Sequence, residues 1–273
     1  MFGTGLIVFR ETLEAALFIG IIAAATKSLE GRTRWLVLGV ALGAIGSLII
    51  ASVMERISNL ASGLGQDLLN AIILSTALLM LSWHSIWVTA HAREMSEQAR
   101  RIGTKVSQGT AALWAVTVAV AMTVLREGAE TVFFVAGLVS GSTEGIASLV
   151  VGAMIGFALG VAVGFAIYRG LGYLNPRRLF SITNVLILLL AGNLASQLAK
   201  TLQQADWLSL LNNSAWDTTE LLPNDSLLGL FMHGILGYDA SPSQLQVLFY
   251  LLAITLISLG ARHMKIQLKN TKS

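Results

Sequence analysis

Seven long apolar stretches dominate this chain, and nothing else in it narrows the possible folds as much. A helix crossing the hydrocarbon core of a bilayer needs about 20 mainly apolar residues, and stretches at approximately 3–26, 33–54, 66–90, 109–139, 145–168, 178–201 and 243–262 meet that length. Hydrophobic residues make up 55% of the 273 positions and charged residues only 12%. A soluble domain carries roughly 25% charged residues. The expectation is an all-α integral membrane protein of seven transmembrane helices in one domain. The polar segment 202–242 is read as an outer loop, and its apolar run from Leu227 to Leu236 is too short to span. The first stretch holds Arg10, Glu11 and Glu14 and lacks a cleavage site, so it is read as a permanent helix.

The basic residues set an orientation, because cytoplasmic connections are enriched in Lys and Arg. Fourteen of the 18 fall in four segments. These are Lys27, Arg32 and Arg34; Arg93, Arg100, Arg101 and Lys105; Arg169, Arg177 and Arg178; and Arg262, Lys265, Lys269 and Lys272. Seven spans put all four segments on one side, with the N-terminus outside and the C-terminus cytoplasmic. Arg56 and Lys200 fall on the other side, and Arg10 and Arg126 lie within the first and fourth stretches.

Those two arginines open a repeated motif. Arg10-Glu11-Thr12-Leu13-Glu14 and Arg126-Glu127-Gly128-Ala129-Glu130 both read R-E-x-x-E, and each leads into an apolar run. The second and fifth stretches also match, with Gly39, Gly43 and Gly46 in one and Gly152, Gly156, Gly160 and Gly164 in the other. Small residues at this spacing line one helix face and allow close packing. Two inverted three-helix repeats follow, about 1–90 and 109–201, with the seventh helix outside them. Such a plan puts a transport site near the midplane, between the repeats.

A charged residue at the middle of a spanning helix costs about 2.5–3.5 kcal/mol on an insertion scale. Six occur here, in two matching groups. Glu11 and Glu14 share one helix face, as do Glu127 and Glu130. Antiparallel helices crossing at the motifs would gather four carboxylates, whose mutual repulsion a multivalent cation relieves. Carboxylates suit hard cations, and the chain has no cysteine to offer a soft ligand. Arg10 and Arg126 are expected to orient Glu14 and Glu130 and partly neutralise the empty site. The purely structural alternative is a pair of intrahelical ion pairs, but it leaves Glu11 and Glu127 unexplained. His84, between Trp83 and Trp87, reads as an interfacial histidine. His91 and His263 read as solvated, and Asn193 and Gln197 as bonding neighbouring helices. Asp217 and His233 are candidates for an outer access site, where acidic groups concentrate cations.

With two R-E-x-x-E motifs in the first and fourth of seven helices, the chain resembles the ferric iron permeases, which include fungal high-affinity and bacterial Efe-type members. The outer runs Asp225-Ser226-Leu227-Leu228-Gly229 and Gly234-Ile235-Leu236-Gly237-Tyr238 are similar to the bacterial branch. The resemblance implies translocation of ferric iron (Fe3+) into the cell across the cytoplasmic membrane, with Glu11, Glu14, Glu127 and Glu130 as ligands and Arg10 and Arg126 beside them. It implies a permease rather than an enzyme, with no cofactor bound permanently and no nucleic-acid partner. An extracytoplasmic oxidase, cupredoxin-like protein or peroxidase is the implied protein partner. Gly is usual at the third motif position, so Thr12 departs from the pattern where Gly128 keeps it. The residues alone leave two alternatives, transport of Fe2+ or Mn2+ and an intramembrane lipid-pyrophosphate phosphatase.

Overall fold

The computed structural model describes residues 1–61, 66–110, 112–141, 145–170 and 176–271. The side chains of His91, Arg93, Arg177, Arg178, Lys265 and Lys269, and the whole of Lys272, lie outside the described residues. Within them the chain is helical: α1 (Phe2–Ala25), α2 (Arg32–Ala61), α3 (Gln66–Ser107), α4 (Trp114–Gly141), α5 (Ile146–Tyr168), α6 (Pro176–Gln204), α7 (Leu227–Leu236) and α8 (Gln244–Thr271). Five of these, α2, α3, α5, α6 and α8, are long and apolar enough to cross a membrane. α1 and α4 match them in length, with 24 and 28 residues. What sets these two apart is charge, since each contains one arginine and two glutamates.

α3 is longer than its apolar stretch. The basic segment expected to connect the third and fourth spans is helical as far as Ser107, giving 42 residues and roughly 60 Å of helix. Good helix formers fill that extension, and Glu97 and Arg101 pair four residues apart on its surface. Its inner side packs: Ala99 and Val106 are buried with Ile22, Val116 and Val120, and Ser107 Oγ donates to the Ala25 carbonyl. Gly109, in the left-handed conformation at φ 73°, turns the chain away.

The helices pair across the sequence rather than along it. α1 lies along α5, and α2 along α4. The glycines of the second and fifth stretches line these two contacts in the same register. Gly39 meets Thr117, Gly43 meets Ala121, and Ser47 meets Gly128. In the other pair Gly152 meets Met1, Gly156 meets Gly5, and Gly160 meets Thr12. Thr117 stands as far before Arg126 as Met1 stands before Arg10, and the other two positions correspond likewise. The departure at Thr12 finds its reason here. Where the motif carries Gly128, the facing helix carries Ser47; where it carries Thr12, the facing helix carries Gly160. Bulk and gap have changed sides.

The third helices break this correspondence. α3 packs against α1, α4, α6 and α8, and Leu74, Leu81, Phe134, Ile187, Leu190 and Leu194 form the core between them. α6 packs chiefly against α3 and α8. Asn193 bonds a neighbouring helix as expected, its Nδ2 donating to the His233 carbonyl of α7 (3.3 Å), and Gln197 Nε2 donates to Asn193 Oδ1 (3.1 Å).

The segment joining α6 to α8 is tied down by its own bonds. Ala215 N donates to Pro242 O and Thr218 N to Ala240 O, both at 2.8 Å. Trp216 Nε1 donates to Asp239 O, and Tyr238 Oη to Leu222 O. Within it Ser226 caps α7 by accepting from Gly229 N. Gly237 ends α7 at φ 72°, against Asn193. α7 sits on the start of α1, where Phe2 and Phe231 meet edge to face.

Candidate metal centre

The register of α1 and α4 brings the two motifs together beside α3. In each, the arginine spans the carboxylates one and four places on, because a helix turns those positions to one side. Arg10 Nη1 lies 3.0 Å from Glu11 Oε1 and Nη2 lies 3.1 Å from Glu14 Oε1. Arg126 Nη2 lies 3.0 Å from Glu127 Oε1 and Nε lies 3.2 Å from Glu130 Oε1. Arg10, Glu11, Glu14 and Glu127 are buried, and Glu130 nearly so.

The environments of the arginines differ. Arg10 is enclosed, whereas the Arg126 side chain is 38% exposed and its guanidinium lies over the Trp87 ring, 5.4 Å from the centroid. Removing one member of a buried pair costs about 3–5 kcal/mol, because the other charge is left uncompensated. Arg10→Gln is therefore expected to lower the thermal unfolding midpoint of the detergent-solubilised protein clearly more than Arg126→Gln. Equal shifts would mean that the two motifs are equally enclosed.

The arginines do not satisfy the carboxylates. Glu11 Oε2, Glu14 Oε2 and Glu127 Oε2 are buried without a hydrogen-bond partner. Buried polar atoms are normally paired, so a cluster of unpaired carboxylate oxygens asks for a ligand. Two overlapping groups have the spacing for a metal ion, Glu11 with Glu14 and His84, and Glu11 with Glu127 and Glu130. In each group, one ligand atom per residue lies within 4.8 Å of the others.

His84 corrects the sequence reading. It is not at an interface but buried in the cluster, with Nδ1 against Glu130 Oε2, Nε2 3.9 Å from Glu14 Oε1, and Phe134 packed edge to face on its ring. The flanking tryptophans suggested an interface; Trp83 is exposed on the outside of α3, and His84, about 100° further round the helix, is buried.

Asp217 and His233 do not join this cluster, nor any other metal-sized group among the described residues. Asp217 is exposed, and Thr219, first through its hydroxyl and then its backbone N–H, holds the carboxyl below its ordinary pKa. His233 Nδ1 bonds the Tyr238 carbonyl at 2.7 Å. His263 is exposed, as expected.

Comparison with known proteins agrees with the motifs. The family described as Iron permease FTR1 matches residues 1–268. A protein of Yersinia pestis named ferrous iron permease EfeU is 30% identical over 254 residues, covering 92% of this chain and 89% of the relative. One of the same name from Escherichia coli O157:H7 is 31% identical over 252 residues, covering 90% of each. No solved structure matches the chain. A helical scaffold with charged motifs in its core and these relatives over nearly its whole length is a multi-pass membrane transporter rather than an enzyme, and the chain belongs to the FTR1 iron permease family.

Proposed function

We propose that this permease carries iron across the cytoplasmic membrane into the cell through the paired motifs, with Glu11, Glu14, Glu127 and Glu130 as ligands of the passing ion. The observation that carries the proposal is the set of buried, unpartnered carboxylate oxygens where α1 and α4 meet. Arg10 and Arg126 keep the four acids from repelling one another apart when no ion is bound. Seven helices span, α1 to α6 and α8, as one transmembrane domain of two inverted repeats (α1–α3 and α4–α6) with α8 added. The matched registers of α1 on α5 and α4 on α2 support the repeat. The N-terminus and the α6–α8 segment lie outside, the C-terminus inside. Asp217 and His233 sit on that outer segment, where an oxidase, cupredoxin-like or peroxidase partner would deliver iron.

The oxygen–nitrogen group of Glu11, Glu14 and His84 favours Fe2+ as the ion, because an imidazole donor suits a softer ion than an all-carboxylate set does. Both relatives named above carry ferrous iron in their names. The ferric reading is supported by the all-oxygen group of Glu11, Glu127 and Glu130, which suits a harder ion. Uptake into proteoliposomes separates them: Fe2+ kept reduced with ascorbate, Fe3+ citrate and Mn2+ are supplied in parallel. Accumulation from the ascorbate arm alone supports Fe2+, and accumulation from citrate alone supports Fe3+. Uptake of Mn2+ with no iron would sink both.

Orientation has its own test. The natural chain has no cysteine, so single cysteines can be placed on a clean background. Thr219→Cys is expected to react with an impermeant maleimide added to intact cells, and Lys27→Cys only after the membrane is opened. The reverse pattern would overturn the N-outside orientation.

A further inference from the structure

The geometry points to His84 as a direct ligand of the transported ion, binding it through Nε2, and as the residue that discriminates iron from Mg2+ and Ca2+. This rests on the reading that the motif glutamates hold the ion.

α3 brings the ring to the point where both motifs converge, and the side chain is only 6% exposed. Its two nitrogens have different surroundings. Nδ1 lies against Glu130 Oε2. Nε2 has no hydrogen-bond partner, and it is the nitrogen that would offer a lone pair to an ion. Its nearest acidic atom, Glu14 Oε1, stands 3.9 Å away, beyond hydrogen-bond range. A ring nitrogen bonded to a carboxylate, with the other nitrogen left open, is the arrangement that orients metal-binding histidines.

The open nitrogen has company. Glu11, Glu14 and His84 each present one ligand atom within 4.8 Å of the others, a spacing compatible with one ion at roughly 2.0–2.5 Å from each. A histidine serving only to steady Glu130 would have no need of a second, unpartnered nitrogen beside two carboxylates. In this group Glu130 is the residue that orients His84, although it is itself a ligand atom in the other group. Glu11 belongs to both, so the two positions are neighbours with different donors: one oxygen–nitrogen, one oxygen only.

The donor difference gives the selectivity. Mg2+ and Ca2+ take oxygen ligands, whereas imidazole suits Fe, Zn, Cu and Ni. A mandatory nitrogen therefore weakens the competition from the abundant alkaline-earth ions.

The test uses the full chain in lipid nanodiscs with Mn2+ as a paramagnetic stand-in, read by electron spin echo for coupling to 14N. Wild type is expected to show imidazole coupling that His84→Gln loses. In proteoliposomes, the Ca2+ concentration that halves iron uptake should fall about tenfold in His84→Gln, in line with the cost of disturbing metal-site partners. Should that variant fail to fold, a chain with His91, His233 and His263 all changed to Gln leaves His84 the sole histidine, and coupling should persist. A wild type without 14N coupling overturns the assignment, as does coupling that survives in His84→Gln. Glu11→Gln distinguishes the underlying reading: if it abolishes Mn2+ binding while wild type lacks nitrogen coupling, the glutamate site stands and only His84 falls. If Mn2+ binds undiminished in Glu11→Gln and without nitrogen coupling, both fall.

Discussion

Replacing Glu14 or Glu130 by alanine is expected to reduce iron uptake in proteoliposomes by at least about a hundredfold, since disturbing even the outer partners of a metal site costs 10–100-fold in affinity. The two residues lie on different helices and in different three-donor groups, yet each closes one group with the shared Glu11. Each also faces an arginine and His84. The double variant should be little worse than either single one, because the ion needs both positions. Folding is the control: each variant must elute as wild type does on size exclusion. Uptake that persists in two well-folded single variants would reduce the motifs to intrahelical ion pairs and remove the proposed ion path.

Gly156→Val is expected to have the largest effect on folding. A Cβ at this position would overlap the Gly5 carbonyl oxygen and stand 3.0 Å from Phe9 N. Both are backbone atoms of α1, so no side-chain rotation relieves them, and α1 and α5 must separate. Overpacking ordinarily costs about 1–3 kcal/mol, and rigid backbone on both sides puts this site at or above the top of that range. The expected result is loss of monodisperse protein in detergent. Gly128→Ala is the informative contrast. Its Cβ would overlap the Ser47 hydroxyl and stand 2.6 Å from Ser47 Cβ, a single small side chain rather than backbone. A milder loss is expected there, restored in part by Ser47→Gly. If Gly156→Val melts with wild type, the α1–α5 contact described above is wrong.

The glycine stripes, the long apolar helices and the paired motifs were legible in the sequence because each follows from local periodicity. Which helix each stripe faces was not. Gly43 and Gly156 announce a close contact without naming the partner, and the exchange between halves emerges only when the chain is assembled. The extension of α3 is hidden for a different reason. Its charges read as a connection, although Glu97 and Arg101 at helical spacing signal that the helix continues. The four motif glutamates were legible as a group, since cost and repetition both marked them. His84 was not. One histidine in an apolar helix does not reveal its direction, and its tryptophan neighbours pointed to an interface. Turning α3 as a helix, with Leu74, Ala77 and Leu81 buried, would have placed His84 near that inward side.

The pairing of α1 with α5 has a consequence for how the chain is made. α1 leaves the ribosome ahead of α2 to α8, bearing three ionisable groups, and its chief neighbour is synthesised more than a hundred residues later. At 5–20 residues per second that delay is on the order of ten seconds. Throughout it, the nascent α1 must sit in or beside the bilayer without the surface that will cover it. Arg10, held to Glu11 and Glu14 within the same two turns, is the compensation available from the start. The same arginine that tempers the finished site thus keeps an unfinished helix tolerable to lipid until its partner arrives.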